Sequence, residues 1–123
     1  MSSVGLYVWV EIESDLDVVT AISGSGPAYF FLFIESLTDA AIALGMNGES
    51  ARKLALQTAL GASRLASLSK EDAVTLRKNV TSPGGTTEQA IKAFEASDIR
   101  GIVVQATKAA ARRSVELSRE FGA

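Results

Sequence analysis

One stretch of the chain breaks the usual alternation of hydrophobic and polar positions. Ala28-Tyr29-Phe30-Phe31-Leu32-Phe33-Ile34 is apolar on every face of a helix, and a helix apolar all round is buried all round. In a chain of 123 residues that is hard to achieve within one subunit. Elsewhere the pattern is amphipathic. Leu54, Thr58, Ala62 and Leu65 fall at helical spacing, with Arg52, Lys53 and Arg64 left for a water-facing side. Ile99, Ile102, Val103, Ala106, Ala110 and Leu117 form a second stripe. The start of the chain differs. Leu6-Tyr7-Val8-Trp9-Val10 is apolar, β-branched or aromatic and predicts a short strand. Gly5 before it could close a helix lying outside the chain. A lone strand has nothing to pair with, so this segment points to a piece of a larger protein, or to a strand completed by another chain.

Start and stop signals divide the rest into about six helices. Ser14 is positioned to cap a helix through Thr20, with Asp15 and Asp17 in its first turn. Ser23-Gly24-Ser25-Gly26-Pro27 opens the apolar helix, because proline is harmless in a first turn. That helix is expected to reach Leu44 and stop at Gly45. Asn47 caps a helix over Glu49 to Leu68, and Ser69 caps one through Lys78. Thr86 to Gln89 fits the capping-box pattern and predicts a helix from Thr87 to Ala96. Asp98 caps the last helix, which ends near Phe121. The expected fold is an all-α helical bundle with a short leading strand, with no repeats and no internal linker.

Composition narrows the chemistry. The chain is 47% hydrophobic and 21% charged with a net charge of −2, which excludes intrinsic disorder. A pI near 5.1 gives no basic field for nucleic acid. There is no cysteine and no histidine, so disulfides, thiol catalysis and the commonest general base and metal ligand are absent. Any catalysis must use hydroxyls, carboxylates, amines or backbone amides. Glu35 and Asp39 have a metal-compatible spacing, but without histidine partners they read as a solvated or salt-bridged pair, and no metal is expected. Arg112 and Arg113 are cations near a helix C-terminus. Trp9 and Tyr7 read as core or interface residues. The N-terminus has no signal-peptide pattern. The longest apolar run, Ala28 to Ile34, is short of the ~20 residues of a membrane span. A cytoplasmic protein is the expectation.

The segment Asn79-Val80-Thr81-Ser82-Pro83-Gly84-Gly85-Thr86-Thr87 is the candidate site. Adjacent glycines allow close backbone approach, and they lead into a helix start whose unpaired amides favour an anion. Hydroxyls from Thr81, Ser82, Thr86 and Thr87 surround the same spot. The same run is also a good tight turn with an N-cap, and the residues alone leave both readings open. Ser23 to Pro27 lacks the lysine of a phosphate loop and reads as a helix start.

Two blocks carry a family resemblance. Asp17-Val18-Val19-Thr20-Ala21-Ile22-Ser23-Gly24-Ser25-Gly26-Pro27-Ala28-Tyr29-Phe30 resembles the start of the C-terminal domain of pyrroline-5-carboxylate reductase. Val80-Thr81-Ser82-Pro83-Gly84-Gly85-Thr86-Thr87 resembles that family's signature loop, and the spacing and the intervening helix with Gln57 and Thr58 also fit. The resemblance covers essentially the whole chain. It implies a helical dimerisation and substrate-binding domain over residues 14–123, and residues 1–13 as the edge of an absent Rossmann domain plus linker. It implies reduction of 1-pyrroline-5-carboxylate to L-proline, the last step of proline biosynthesis, with NADP or NAD bound by the full-length parent and none by this chain alone, which would be inactive. It implies a homodimer with intertwined helices, or a higher oligomer. By the same resemblance the substrate carboxylate would meet the amides of Gly85, Thr86 and Thr87, with Ser82 adding a hydroxyl. Thr87 would reach the imine nitrogen as the catalytic hydroxyl. Val80 would line the ring, and Asn79 would lie on the nicotinamide side. The alternative is a non-enzymatic dimerisation module with the same fold.

Overall fold

The computed structural model describes residues 13–122, and all regular structure there is helical. The strand expected at Leu6–Val10 lies outside the described residues, as do Gly5, Tyr7 and Trp9. The helices are α1 (Glu13–Val19), α2 (Gly26–Ala43), α3 (Gly48–Leu68), α4 (Ala73–Asn79), α5 (Thr86–Ala96) and α6 (Ile99–Glu120). The all-α expectation holds for this part of the chain.

Several boundaries differ from expectation for local reasons. α1 begins at Glu13, so Ser14 lies inside it. Winding does not stop at Thr20 but widens into a π-helical turn over Thr20–Gly24, closed by Ser25 N–H donating to Thr20 O at 2.8 Å. Pro27 has no N–H to donate to Ser23, and its ring crowds that carbonyl; a wider turn just before it relieves both problems. Thr20 Oγ1 and Ser23 Oγ donate to Leu16 O and Val19 O, each at 2.9 Å. α2 then ends as expected. Gly45 takes φ +105, Gly45 N–H donates to Ile42 O at 2.9 Å, and Met46 N–H donates to Ala41 O at 3.0 Å, the paired bonds of a glycine-terminated helix. Asn47 caps α3 by accepting Ser50 N–H at 2.9 Å. The cap of α4 is Asp72, not Ser69. Asp72 Oδ1 accepts Thr75 N–H at 2.8 Å, while Ser69 Oγ accepts Glu71 N–H at 3.0 Å in a separate turn upstream.

The chain divides into two compact units. Among the described residues, one holds 13–27 and 101–122, the other Ala28–Arg100. In the first, Ala21 is buried, Ser114 Oγ donates to Asp17 Oδ1 at 2.7 Å, and Thr20, Arg113, Ser114 and Ser118 line an open cavity of about 420 Å³. In the second, Thr38, Ala51 and Ala55 are buried. Phe33 and Phe94 meet with ring centroids 6.2 Å apart. Phe31, Glu35, Thr38, Asp39, Arg52 and Leu56 are among the residues lining an open cavity of about 410 Å³. Arg52 therefore lines a cavity together with the Glu35 and Asp39 carboxylates.

The buried side of α3 is a correction. It is Ala51 and Ala55, one turn apart, that are covered; Leu54, Thr58, Ala62 and Leu65 are exposed. Small residues bury first because they let helices approach closely, while the leucine stripe stays uncovered within one chain. The same holds for Phe30 and Phe31, each 68% exposed, and for Ile102 and Val103 on α6. Among the described residues no large side chain is fully buried. The 29-residue helical stretch Asp15–Ala43 is also long enough to cross a membrane, and an 18-residue window within it reaches a mean hydropathy of 1.3. This exceeds the expectation drawn from the run Ala28 to Ile34, since the stretch is continuous through the π turn. It carries the carboxylates of Asp15, Asp17, Glu35 and Asp39.

Candidate functional site: the loop between α4 and α5

Residues 80–85 join α4 to α5 and form a compact turn. Asn79 is the last residue of α4, and Val80 follows it, exposed. Val80 N–H donates to Arg77 O at 3.2 Å and Thr81 N–H to Lys78 O at 3.1 Å, so the helix unwinds through tight final bonds. Thr81 Oγ1 donates to Arg77 O. That hydroxyl is committed to the backbone, which leaves Ser82, Thr86 and Thr87 of the four expected at the site.

The sharp reversal is Ser82-Pro83-Gly84-Gly85. Gly85 N–H donates to Ser82 O at 3.0 Å, and Gly84 takes φ +73. Proline at the second position and a left-handed glycine at the third define a type II turn. The two glycines serve different ends. Gly84 supplies the backbone angle that other residues adopt at a cost. Gly85 is extended, with φ −87 and ψ 178, but a Cβ there would lie 3.1 Å from Ser82 O. Its smallness is needed for space, not for an unusual angle.

Gly85 is also the N-cap of α5, one residue earlier than the capping box placed it, and makes no side-chain cap bond. The acid of the cap is Glu88, whose carboxylate accepts the Gly84 N–H. The capping box expected at Thr86 to Gln89 is not formed: glycine stands at the N-cap without a side chain, Thr86 and Thr87 fall in the first turn, and Glu88 reaches back past the cap to Gly84.

The donors of the loop can now be assigned. The amides of Thr81, Gly84 and Gly85 are committed to Lys78 O, Glu88 and Ser82 O. Gly85 therefore shapes the site, while the amides of Thr86, Thr87 and Glu88 make no bond among the described residues. These first-turn amides point out of the positive end of an 11-residue helix. Beside them are the exposed hydroxyls of Ser82 and Thr86 and the half-buried hydroxyl of Thr87. Such a group can hold a small carboxylate and offer a hydroxyl to an adjoining polar atom. Neither cavity described above is lined by a loop residue. At the far end of α5, the Arg100 guanidinium bonds Glu95 at 2.8–3.1 Å, holds that carboxyl below the usual carboxylate range, and is itself raised by it.

Fold and loop together define a class: among the described residues, an all-helical domain with uncovered apolar helix faces and a glycine turn leading into a helix start with unbonded amides. Residues 13–117 match the family described as pyrroline-5-carboxylate reductase dimerisation, and the chain belongs to that family. It is 50% identical over 122 residues to pyrroline-5-carboxylate reductase of Pseudomonas aeruginosa, a match that takes in 99% of this chain and 45% of the relative. A solved pyrroline-5-carboxylate reductase from Coxiella burnetii superposes with a TM-score of 0.89 at 49% identity, over 93% of this chain and 42% of that one. The Plasmodium falciparum pyrroline carboxylate reductase, solved with NADP bound, gives 0.80 at 39% identity, over 85% and 40%. The chain thus spans less than half the length of the relatives it matches.

Proposed function

We propose that this chain is the dimerising, substrate-binding part of a reductase that converts 1-pyrroline-5-carboxylate to L-proline with NADPH or NADH. The observation that carries the reading is the loop 80–87: its free amides and hydroxyls suit a ring bearing a carboxylate and an imine nitrogen, in a chain half identical to a reductase named for that substrate. Residues 14–123 form the helical domain, and residues 1–13 belong to the edge of a nucleotide-binding domain and its linker. A second copy of the chain covers the exposed faces of α2, α3 and α6, making a homodimer or a larger assembly. The complete enzyme works in the cytoplasm.

In this site the amides of Thr86 and Thr87 bind the substrate carboxylate, with Ser82 beside it. The Thr87 hydroxyl contacts the imine nitrogen and relays a proton to or from water. Val80 lies against the ring and Asn79 toward the nicotinamide. The cofactor supplies the hydride when bound. What this chain contributes is orientation. A protonated imine is already electrophilic, and fixing it near the donor is where the rate gain lies.

The test is an assay of the full-length polypeptide with 1-pyrroline-5-carboxylate and NADPH or NADH, which should yield proline. The 123-residue chain alone should show no saturable fluorescence response to NADPH and no turnover. Proline formation by the isolated chain, or none by the full-length protein, overturns the proposal.

A further inference from the structure

Glu88 sits at the third position of α5 with its two carboxylate oxygens divided. Oε2 accepts the Gly84 N–H, and Oε1 faces Lys92 Nζ at 3.7 Å. The Glu88 side chain is 31% exposed and that of Lys92 65%, so the carboxylate lies toward the protein while the ammonium stays in water. A long, exposed pair of that kind contributes little.

The bond to Gly84 is of a different order. The Gly84 N–H belongs to the central peptide of the Ser82–Gly85 turn. Type I and type II turns differ chiefly by a flip of that one peptide. The turn's own closing bond, Gly85 N–H to Ser82 O, leaves the Gly84 N–H unused. A Glu88 carboxylate oxygen supplies the acceptor that this N–H does not find within the turn. We propose that Glu88 is a positioning residue for the substrate loop: by holding the Gly84 N–H it locks the central peptide in the type II orientation. The free amides of Thr86 and Thr87 and the Thr87 hydroxyl are thereby set before the ligand arrives. This rests on the reading of loop 80–87 as the substrate-carboxylate site. Unlocked, the turn occupies its binding geometry only part of the time, and apparent affinity falls in proportion to that fraction.

The experiment is steady-state kinetics of the full-length protein with 1-pyrroline-5-carboxylate. Glu88→Ala should raise KM about five- to tenfold and leave kcat within about twofold, because population changes but the bound geometry does not. Glu88→Gln keeps an acceptor oxygen and loses the charge; its KM should return to within about twofold of the parent's. Lys92→Ala should leave both constants unchanged. If Glu88→Ala lowers only the melting temperature, the residue is a cap and no more, and the inference is overturned. If Glu88→Gln is as impaired as Glu88→Ala, charge and not the turn is responsible, which also overturns it. Thr87→Ala and Gly85→Val are measured alongside. When these impair turnover and Glu88→Ala does not, the lock alone fails. When these too leave kinetics untouched, the substrate-loop reading fails and the lock with it.

Discussion

At the scale of single residues, the loop separates side chains that hold its shape from those left for a ligand. Thr81 spends its hydroxyl on Arg77 O, and Gly85 spends its amide on Ser82 O. Thr87 is half-buried and its hydroxyl makes no bond among the described residues. If the full-length protein has the proposed activity, Thr87→Ala should therefore lower kcat more than it raises KM. Losing one hydrogen bond to a charged group costs about 1.5–3 kcal/mol, or about one to two powers of ten in rate. A merely structural Thr87 would leave the kinetics intact and change only the melting temperature. Gly85→Val should abolish binding, because its Cβ meets Ser82 O at 3.1 Å and its side chain covers the amides beyond. Isothermal titration with a carboxylate analogue of proline checks this, retained affinity being the contrary outcome. The backbone-angle penalty belongs one position earlier, at Gly84.

At the scale of elements, helix existence was legible because capping residues and glycine stops act locally. Gly45 and Asn47 mark the ends of α2 and α3 where the sequence puts them. The start of α4 was less legible, since Ser69 and Asp72 are both good caps. Asp72 wins because its carboxylate bonds the Thr75 amide at the positive end of the helix. The π turn had no local signal beyond Pro27. In the loop, the unbonded first-turn amides could be read from glycines before a helix, but the cap register could not, since Gly85 and Thr86 both suit an N-cap. The Thr75 backbone amide, with the Thr75 side chain second, holds Asp72 below its ordinary value of 3.8. A carboxyl with a depressed folded pKa stabilises above its unfolded pKa, and that contribution disappears as the pH falls through the folded value. Asp72→Ala should thus lower the melting temperature at about pH 7, and the gap to the parent should shrink on acidification below the ordinary carboxylate range. A gap that widens on acidification would falsify this account.

At the scale of the whole molecule, the apolar pattern and the single chain do not balance. Phe30, Phe31, Leu54, Leu65, Ile102 and Val103 are all exposed, and the stripe logic that placed the leucines of α3 inside was right about their burial only if a second chain supplies the cover. Sedimentation equilibrium of this chain at low micromolar concentration should show a dimer, with at least the ~800 Å² per partner of a standard interface. A folded monomer there is the contrary result. Phe31→Asp, which places an unpaired charge in that interface, should give unfolded or aggregated protein. That no large side chain among the described residues is fully buried has one more consequence. If, as proposed, a second copy covers these faces, a chain whose helices bury only small side chains of their own should finish folding only on meeting it, which would make folding a second-order reaction. Its midpoint of thermal unfolding should climb with each tenfold increase in protein concentration, and newly made chains should be most vulnerable to proteases when they are scarce.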